Sequence, residues 1–564
     1  MIRELTMVLL FAVGAQAQCT IEEQSALGDP TPGSGDLFGS SCSLDGDTLA
    51  IGVPFNLTAA SGRLGSAQVF RRVAGSWLFE QEVVASNGSD MDQFGLSIAI
   101  QGDRMIVGAR RHMTNGLFRA GAAYSFRFDG TTWVEEQMLT APIPRADADY
   151  GNSVDLDGDI AIVSAPFDLG GAVFVYRLVG SSWELEEELR RTGQEDSFGT
   201  MACLDGDVIA ASTPVVDGLV SAITIFEQNG ADWSLSLDVT SSDAGFGIGV
   251  AADGDWVIAS SNNSLRSFER VGPGQWSERG QVVPTIPSLS EPYRVALSGN
   301  RALVGEPEFF DSFSPGHAQV FTRTGTTWSE EVDLIASDGA LGDRFGFALA
   351  IDGSRAVVGA SGVIGTCPGV CRIGAAYSFD LDSAPCLFND FCQGNGGDQM
   401  GCTDCPCSNN AAITSRGGCL NELNRSGRLR ASGSPRLSMD TTRFVLERAN
   451  VSTFAILVSG NSALPANPSN PCFGLDSGIQ SAAPLDGIRC VGEGVVRYSA
   501  RFTGVFGDSA SWGGSTDPAG GLLSTPGFAP GEERFFQVFY RADIAASCMA
   551  GTNTSNGVAL TVLP

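Results

Sequence analysis

The chain has 564 residues, with 34 Arg and no Lys against 64 acidic residues, and its formal net charge is -30. A polyanion of this kind repels nucleic acid and acidic lipid, so we expect neither as a partner. The length predicts several domains, and we interpret the charge as a solubility feature rather than as a binding device.

The N-terminus has the features of an export signal. Arg3 precedes an apolar run, and Ala15-Gln16-Ala17 has the small-x-small pattern of a cleavage site, which predicts a signal peptide over residues 1–17. No later run approaches the ~18 apolar residues that a membrane span needs, so membrane insertion is not expected. We therefore expect a secreted or cell-surface protein whose 14 Cys form mostly disulfides.

One pattern recurs seven times: a Phe/Tyr-Gly dipeptide, a short apolar strand, an Asp-Gly type turn and a second apolar strand. The copies begin at Phe38, Phe94, Tyr150, Phe198, Phe246, Tyr293 and Phe345, and the Tyr293 copy has lost the Gly. In the third copy, strands over 153–156 and 160–164 flank Asp157-Gly158. An alternating strand over 171–176 follows, and Trp183 opens a fourth. Each unit is predicted to be a four-stranded antiparallel meander, the length of a propeller blade, with its fourth-strand Trp packed between blades.

The seventh copy has no fourth strand of its own. Residues 21–27, before the first copy, resemble residues 328–334 in the fourth strand of the sixth. The N-terminal segment is therefore predicted to supply the outer strand of the last blade and to close the ring. This closure would place Cys19 beside Cys386, so we predict a disulfide between them, stabilising by about 5 kcal/mol on the chain-entropy model.

From about residue 19 to residue 381, these copies resemble the FG-GAP repeat family of the integrin α-subunit propeller, in its short bacterial form. The resemblance implies a seven-bladed β-propeller of the kind used outside the cell for adhesion or protein binding. Integrin propellers hold calcium in a long Asp-x-Asp-x-Asp-Gly loop, but the corresponding place here is a tight turn such as Asp205-Gly206. Such a turn cannot wrap the roughly six to eight oxygen ligands of calcium around the ion, so neither a metal nor another cofactor is predicted.

The fold prediction is all-β with four segments: the signal peptide 1–17, the propeller 18–382, a Cys-rich linker 383–420 and a β-sandwich-like domain 421–564. Strand candidates in the last domain are 444–447, 453–458, 495–502, 534–540 and 558–562. This C-terminal region resembles an uncharacterised module at the ends of exported bacterial proteins. Its marks here include Cys405-Pro406-Cys407 and residues 534–541. The resemblance implies no activity.

The remaining cysteines are interpreted in the same oxidising context. Cys402 and Cys405 have zinc-ligand spacing, but no matching second pair or nearby His accompanies them, which favours disulfides. We predict local bridges Cys367–Cys371 and Cys472–Cys490. Cys42 and Cys203 fall on first strands of different copies and are expected to be buried free thiols.

Candidate binding residues lie in the loops between second and third strands, which share a face with the blade-to-blade connections and vary most. Two sets are distinctive: the cationic Arg110, Arg111 and His112, and the aromatic Phe309, Phe310 and Phe313. Exposed aromatics there would suit an interface anchor, although ordinary loop packing is the alternative for both sets. No catalytic residue is assigned, because His112 and His317 fall in different copies without a recognisable nucleophile motif.

The leading functional interpretation is an exported, non-enzymatic binding or adhesion protein. One loop face of the propeller would hold an extracellular protein or glycan. The first alternative is an enzyme on extracellular polysaccharide, with carboxylates near the propeller channel. The second is a structural surface component without a discrete ligand. The oligomeric state is left open.

Overall fold

The structure is a computed structural model. It describes residues 19–58, 62–191, 197–214, 221–230, 232–243, 245–262, 264–282, 284, 293–307, 315–365, 372–382, 388–391, 428–432, 443–447, 454–460, 462–463, 491–492, 496–502, 510–513, 528, 532–540 and 553–561. All regular structure in these residues is β. The chain divides into two compact units, Ile21–Pro385 and a second one made of Met1–Thr20 with Cys386–Pro564.

In the unit Ile21–Pro385, the described strands form seven antiparallel sets of four, the blades of a β-propeller, and six of these sets are separate four-stranded sheets. Blade 1 consists of Ser41–Asp45, Thr48–Val53, Ser66–Val73 and Ser76–Val83, and blade 2 of Ser97–Gln101, Arg104–Ala109, Ala122–Phe128 and Trp133–Leu139. Blade 3 consists of Val154–Asp157, Ile160–Ala165, Ala172–Val179 and Ser182–Leu189, and blade 4 of Ala202–Asp205, Val208–Thr213, Ser221–Asn229 and Asp232–Ser241. Blade 5 consists of Val250–Asp253, Trp256–Ser260, Leu265–Gly272 and Gln275–Val282, and blade 6 of Arg294–Ser298, Arg301–Glu306, His317–Thr324 and Thr327–Ile335. Blade 7 consists of Phe345–Asp352, Arg355–Ala360, Ala375–Asp380 and Ser25–Leu27. A short hairpin, Leu57–Thr58 with Gly62–Arg63, lies in a loop of blade 1.

The last blade is closed by the N-terminal segment, as predicted. Ser25–Leu27 pairs antiparallel with Ala375–Asp380, in a register that places Ser25 opposite Ser378 and Leu27 opposite Ala376. The pairing strand starts later than residue 21, where the sequence similarity begins. Because the N-terminal strand completes the last blade, each of the seven blades has four strands.

The hydrophobic core lies between blades. The second strand Ile160–Ala165 is buried at every residue, whereas the outer strand Ser182–Leu189 buries only Trp183 and Leu189. Trp183 of blade 3 belongs to one buried cluster with Ile106 and Leu139 of blade 2. The large outer-strand rings therefore pack between neighbouring blades, as the sequence predicted.

The outer edges carry a repeated irregularity. In six blades the register between the third and outer strands shifts at the same point: Val69/Phe70, Ser125/Phe126, Val175/Tyr176, Ile225/Phe226, Ser267/Phe268 and Val320/Phe321. A bulge of this kind twists an exposed edge strand and disfavours its pairing with another chain.

The Phe-Gly dipeptides are contact points between blades. Phe94 is 1% exposed, and it forms a parallel bridge to Gly65 of blade 1. Gly95 has a φ of 88°, and a Cβ added there would lie 2.1 Å from the backbone oxygen of Ser66. Only glycine fits this position, because both the left-handed backbone and the close approach exclude a side chain.

Side chains from the ends of the inner strands link all seven blades into a ring. Each accepts a hydrogen bond from the Gly N–H in the turn of the next blade, at 2.5 to 3.1 Å. The acceptors in order are Asp45, Gln101, Asp157, Asp205, Asp253, Ser298 and Asp352. The sequence interpretation of Asp-Gly pairs such as Asp157-Gly158 as turns missed this second role, since the partner turn lies in the next blade.

We expect Asp157→Ala to lower the free energy of unfolding by about 1–2 kcal/mol, because it removes two interblade contacts. Asp157 Oδ2 accepts from Gly206 N–H at 2.7 Å, and Oδ1 accepts from Gln101 Nε2 at 2.7 Å. The control Asp159→Ala removes an exposed carboxylate that pairs only with Arg177 among described residues, and it should cost less than about 0.5 kcal/mol. Urea midpoints measure both, and equal costs would show that the ring contributes nothing.

In the second unit, one sheet contains Phe388–Phe391, Asn553–Thr561, Glu533–Tyr540, Phe454–Gly460 and Val496–Phe502 in this order, and Cys19 and Thr20 pair with the first of these strands. A second sheet contains Arg428–Ser432, Arg443–Glu447 and Ala510–Gly513, and Ser462–Ala463 pairs with Val491–Gly492. Cys19 itself lies opposite Asn389. The two larger sheets contact each other through stacked rings of Phe444 and Phe536, 4.4 Å apart and both fully buried. Five of the described strands overlap the strand candidates of the sequence, whereas strands such as Phe388–Phe391, Arg428–Ser432 and Ala510–Gly513 were not among the candidates.

Two cysteines are described as free thiols. Cys203 is buried and Cys42 is half-buried, and burial raises the pKa of the Cys42 thiol to about 12. Cys386, Cys367, Cys371, Cys472 and Cys490 of the predicted disulfides lie outside the described residues, as does the signal peptide predicted over residues 1–17. Those pairings remain predictions.

Candidate functional site

The meander of each blade places its second-to-third loop and the blade-to-blade connections on one face, here called the upper face. The upper face of blades 2 and 3 contains the predicted residues Arg110, Arg111 and His112, in the loop after strand Arg104–Ala109. The other predicted set, Phe309, Phe310 and Phe313, lies outside the described residues.

His112 does not lie at the surface. Its side chain is buried, and its Nδ1 lies 2.7 Å from Oδ2 of Asp92, two residues before Phe94. The ring of Tyr124 contacts it edge-on, with centroids 6.1 Å apart. His112 therefore ties its loop to the preceding connection and is not available to a partner.

Arg110 is half-buried and bonded to neutral groups. Its Nε donates to Oε1 of Gln93 at 2.9 Å, and its Nη1 donates to Oδ1 of Asn152 at 3.1 Å. Burial lowers the pKa of the guanidinium, and repulsion from Arg111 and Arg119 lowers it further, against an opposing effect of nearby Asp149.

Arg111 has no hydrogen-bond or ion-pair partner for its side chain among the described residues. Its backbone N–H donates to the carbonyl of Asp92 at 3.1 Å, which fixes the loop. Its Nε is buried from solvent without an acceptor. Burying a guanidinium N–H group without an acceptor costs free energy unless another group accepts a hydrogen bond from it.

Three adjacent loops are joined by backbone hydrogen bonds. Asp147 N–H donates to the carbonyl of Phe118 at 2.8 Å, and Phe167 N–H donates to the carbonyl of Ala148 at 3.3 Å. Arg119 binds both oxygens of the buried Asp149, at 3.2 and 2.8 Å. The loops of blades 2 and 3 and the connection between them thus form one continuous surface.

A second network fixes the blade 3 side of this surface. The buried carboxylate of Asp168 contacts Arg145 Nε at 2.8 Å and Arg190 Nη2 at 2.7 Å. Arg190 also donates to the Asp168 carbonyl. Buried carboxylates held by several donors restrict the loops to one arrangement.

Unfavourable backbone conformations are concentrated on this face. Ten non-glycine residues among those described have positive φ, and only Ala74 lies on the opposite face. Seven belong to the loops around blades 2 and 3: Met91, Gln93, Asn115, Arg119, Asp147, Asp149 and Leu169. Such residues cost free energy and cluster where a loop shape is needed for function.

Five large apolar side chains project from these same loops. They are Met113 (53% exposed), Phe118 (61%), Ile143 (67%), Phe167 (55%) and Leu169 (66%), here called the apolar patch. Exposed apolar residues elsewhere include Leu185 and Leu235 on the outer strands of blades 3 and 4, the adjacent Leu78 and Phe79 on the outer strand of blade 1, and Leu341 and Ile364 in loops around blade 7. A cluster on rigid loops has the properties of an interface anchor.

Sequence reasoning identified this face but not the apolar patch. Two apolar loop residues could have indicated the patch: Phe118, next to Arg119 in a Gly-rich loop, and Ile143, between two prolines. This signal was weak because an apolar loop residue can equally be buried against its own blade. Backbone hydrogen bonds between loops decided that these residues face outward.

One carboxyl group on an inner strand has an unusual pKa. Asp155, on an inner strand of blade 3, accepts hydrogen bonds from the N–H groups of Leu156 at 2.9 Å and Leu204 at 2.8 Å. Burial nevertheless raises its pKa to about 7. Over the described part of the chain, no group of three or more His, Cys, Asp or Glu is arranged to hold a metal ion.

Comparisons with known proteins agree with the repeat. The FG-GAP repeat family matches residues 77–126, 133–176 and 328–379, so such repeats occur in three places. A protein from Lactobacillus plantarum of known structure is similar over 59% of this chain and 99% of its own, at 15% identity and a TM-score of 0.39, which supports no argument about function. The comparison with curated proteins found no match. Among the described residues, no helix is long and apolar enough to cross a membrane.

Proposed function

We propose that this chain, with FG-GAP repeats in three places, is an exported, non-enzymatic binding protein. It holds a partner protein on the upper face of blades 2 and 3. The observation that carries the proposal is the apolar patch, whose five side chains are each more than half exposed on loops joined by backbone hydrogen bonds. Leaving such a patch in water is unfavourable, and a partner surface would remove it from water.

A protein partner is favoured over a glycan by the chemistry of the patch. Its side chains are Met, Phe, Ile and Leu, which offer no hydrogen bonds to sugar hydroxyl groups. The large rings that could have formed a sugar platform, such as Trp133, Trp183 and Trp233, are buried between blades. Apolar side chains of a protein would fit the patch better.

The proposal predicts that Phe118→Ser with Ile143→Ser weakens partner binding by tenfold or more, since each anchor contributes about 1–3 kcal/mol. The chain is immobilised and exposed to surface proteins of the producing organism, and bound proteins are cross-linked and identified by mass spectrometry. The matched control Leu185→Ser with Leu235→Ser makes the same change on outer strands. Equal losses in the two variants, at unchanged melting temperatures, would contradict this choice of surface.

An enzyme acting on extracellular polysaccharide is the second candidate. It is favoured only by the Asp155 carboxyl group on an inner strand, whose pKa of about 7 is suited to a general acid. Release of reducing sugar by the wild type, abolished in Asp155→Asn, would replace the non-enzymatic proposal. A structural surface component would show neither sugar release nor a discrete partner.

For the C-terminal region we propose retention at the cell surface, on the basis of its resemblance to the ends of exported bacterial proteins. Truncation before residue 383 should then shift the propeller from the cell-associated to the soluble culture fraction. Unchanged distribution of the truncated chain would contradict this role.

A further inference from the structure

Arg110 and Arg111 differ from the other arginines of the upper face in their partners. Arg119 is paired with Asp149, and Arg190 with Asp168. Among the described residues, neither Arg110 nor Arg111 has a carboxylate within ion-pair distance, although the chain carries 64 acidic residues. Two adjacent, half-buried cations that form no ion pair among the described residues are unexpected in a protein with a net charge of -30.

The carboxylates that could neutralise this pair are already engaged. Both oxygens of Asp149 accept from Arg119. Oδ2 of Asp92 faces Nδ1 of His112 and also accepts from Ser89 N–H at 2.7 Å. Burial is the main reason why the pKa of Arg110 is lowered, and the nearby charge of Asp149 opposes this effect without forming an ion pair with Arg110.

The pair also lies beside the apolar patch. Met113 and Phe118 belong to the same loop, which runs from Arg110 to the Gly121 that precedes the third strand. Arg110 is held in place by Gln93 and Asn152, and the backbone of Arg111 is held by Asp92. Little side-chain entropy remains to be lost at Arg110 when an anion binds.

We propose that Arg110 and Arg111 bind a carboxylate of the partner protein, presented next to the apolar side chain that enters the patch. The inference rests on the proposed function and specifies its partner: an acidic residue adjoining an apolar one. A guanidinium fork matches the two oxygens of a carboxylate, and the half-buried setting strengthens the bond.

The test uses the full chain and a printed array of 12-residue peptides. In each set a central Phe or Leu is followed by Glu, by Gln or by Lys, with the other positions unchanged. Binding of the wild type should favour Glu over Gln by about tenfold, the size expected for a charge-assisted hydrogen bond. Arg111→Gln should reduce this preference to about one. Arg72→Gln, the same charge change on the opposite face, should keep it.

The outcomes separate the two proposals. Binding of the wild type that depends on Phe118 but shows no preference for Glu would overturn the carboxylate site and leave the binding surface intact. Absence of Phe118-dependent binding to any peptide would count against the binding surface itself. Arg111-dependent binding to a uronic-acid oligosaccharide, without peptide binding, would overturn the protein source of the carboxylate.

Discussion

Replacing Gly95 by Ala is expected to lower the free energy of unfolding by about 3 kcal/mol or more. The new Cβ would lie 2.1 Å from the backbone oxygen of Ser66 and 3.3 Å from the backbone nitrogen of Val53, both in the neighbouring blade. Since backbone atoms cannot rotate away, blades 1 and 2 would have to separate. The positive φ of 88° adds a second cost.

Gly75→Ala is the matched control for Gly95→Ala. Gly75 has the same φ of 88°, but an added Cβ there meets nothing within 4 Å. This variant should lose only the backbone term, about 1 kcal/mol. Urea unfolding of both variants measures the difference. Equal losses would mean that the close approach of blades at the Phe-Gly dipeptide does not restrict the residue.

Asp155→Asn is expected to remove a large pH-dependent contribution to stability. The folded-state pKa of Asp155 is raised from 3.8 to about 7 by burial. The folded protein therefore binds this proton more tightly than the unfolded chain does. The resulting stabilisation is complete below pH 4 and is lost as the pH rises through 7. Over about three pKa units the change amounts to roughly 4 kcal/mol.

The measured quantity is the stability difference between Asp155→Asn and the wild type at pH 4.5 and pH 7.5. Asn lacks the second acceptor oxygen, so the variant should be the less stable protein at low pH and should gain relative to the wild type as pH rises. Other carboxyl groups cancel in the difference. Asp159→Asn, on the exposed turn that follows Asp157, should give a constant difference. A constant difference for Asp155→Asn as well would show that this carboxyl group has an ordinary pKa.

The blades could be predicted because their signals are local. Asp157-Gly158 specifies a tight turn by backbone preference alone, and the apolar alternation on both sides specifies two paired strands. Ring closure by Ser25–Leu27 was also predictable, because the repeat left one strand missing at one end and one spare at the other. The hydrogen-bond ring through Asp157 was missed, because the turn preference of Asp already explains why this residue type occurs at the position.

The proposed binding surface was predictable only as a face. The position of Arg110, Arg111 and His112 in a second-to-third loop follows from the strand order. Which of them is exposed depends on Asp92, in a different loop, because its carboxylate contacts the ring of His112 and holds that side chain in a buried position. The exposure of Phe118 and Ile143 likewise depends on how three loops pair.

By itself, the sequence determined the all-β class, the repeating blade and the closure of the ring by an N-terminal strand, because turn and strand preferences act over a few residues. Only the tertiary structure decided which loop residues are structural and which remain open to a partner. The physical reason is that hydrogen bonds and ion pairs between loops are fixed by distances in space, and the sequence spacing of their members does not reveal those distances.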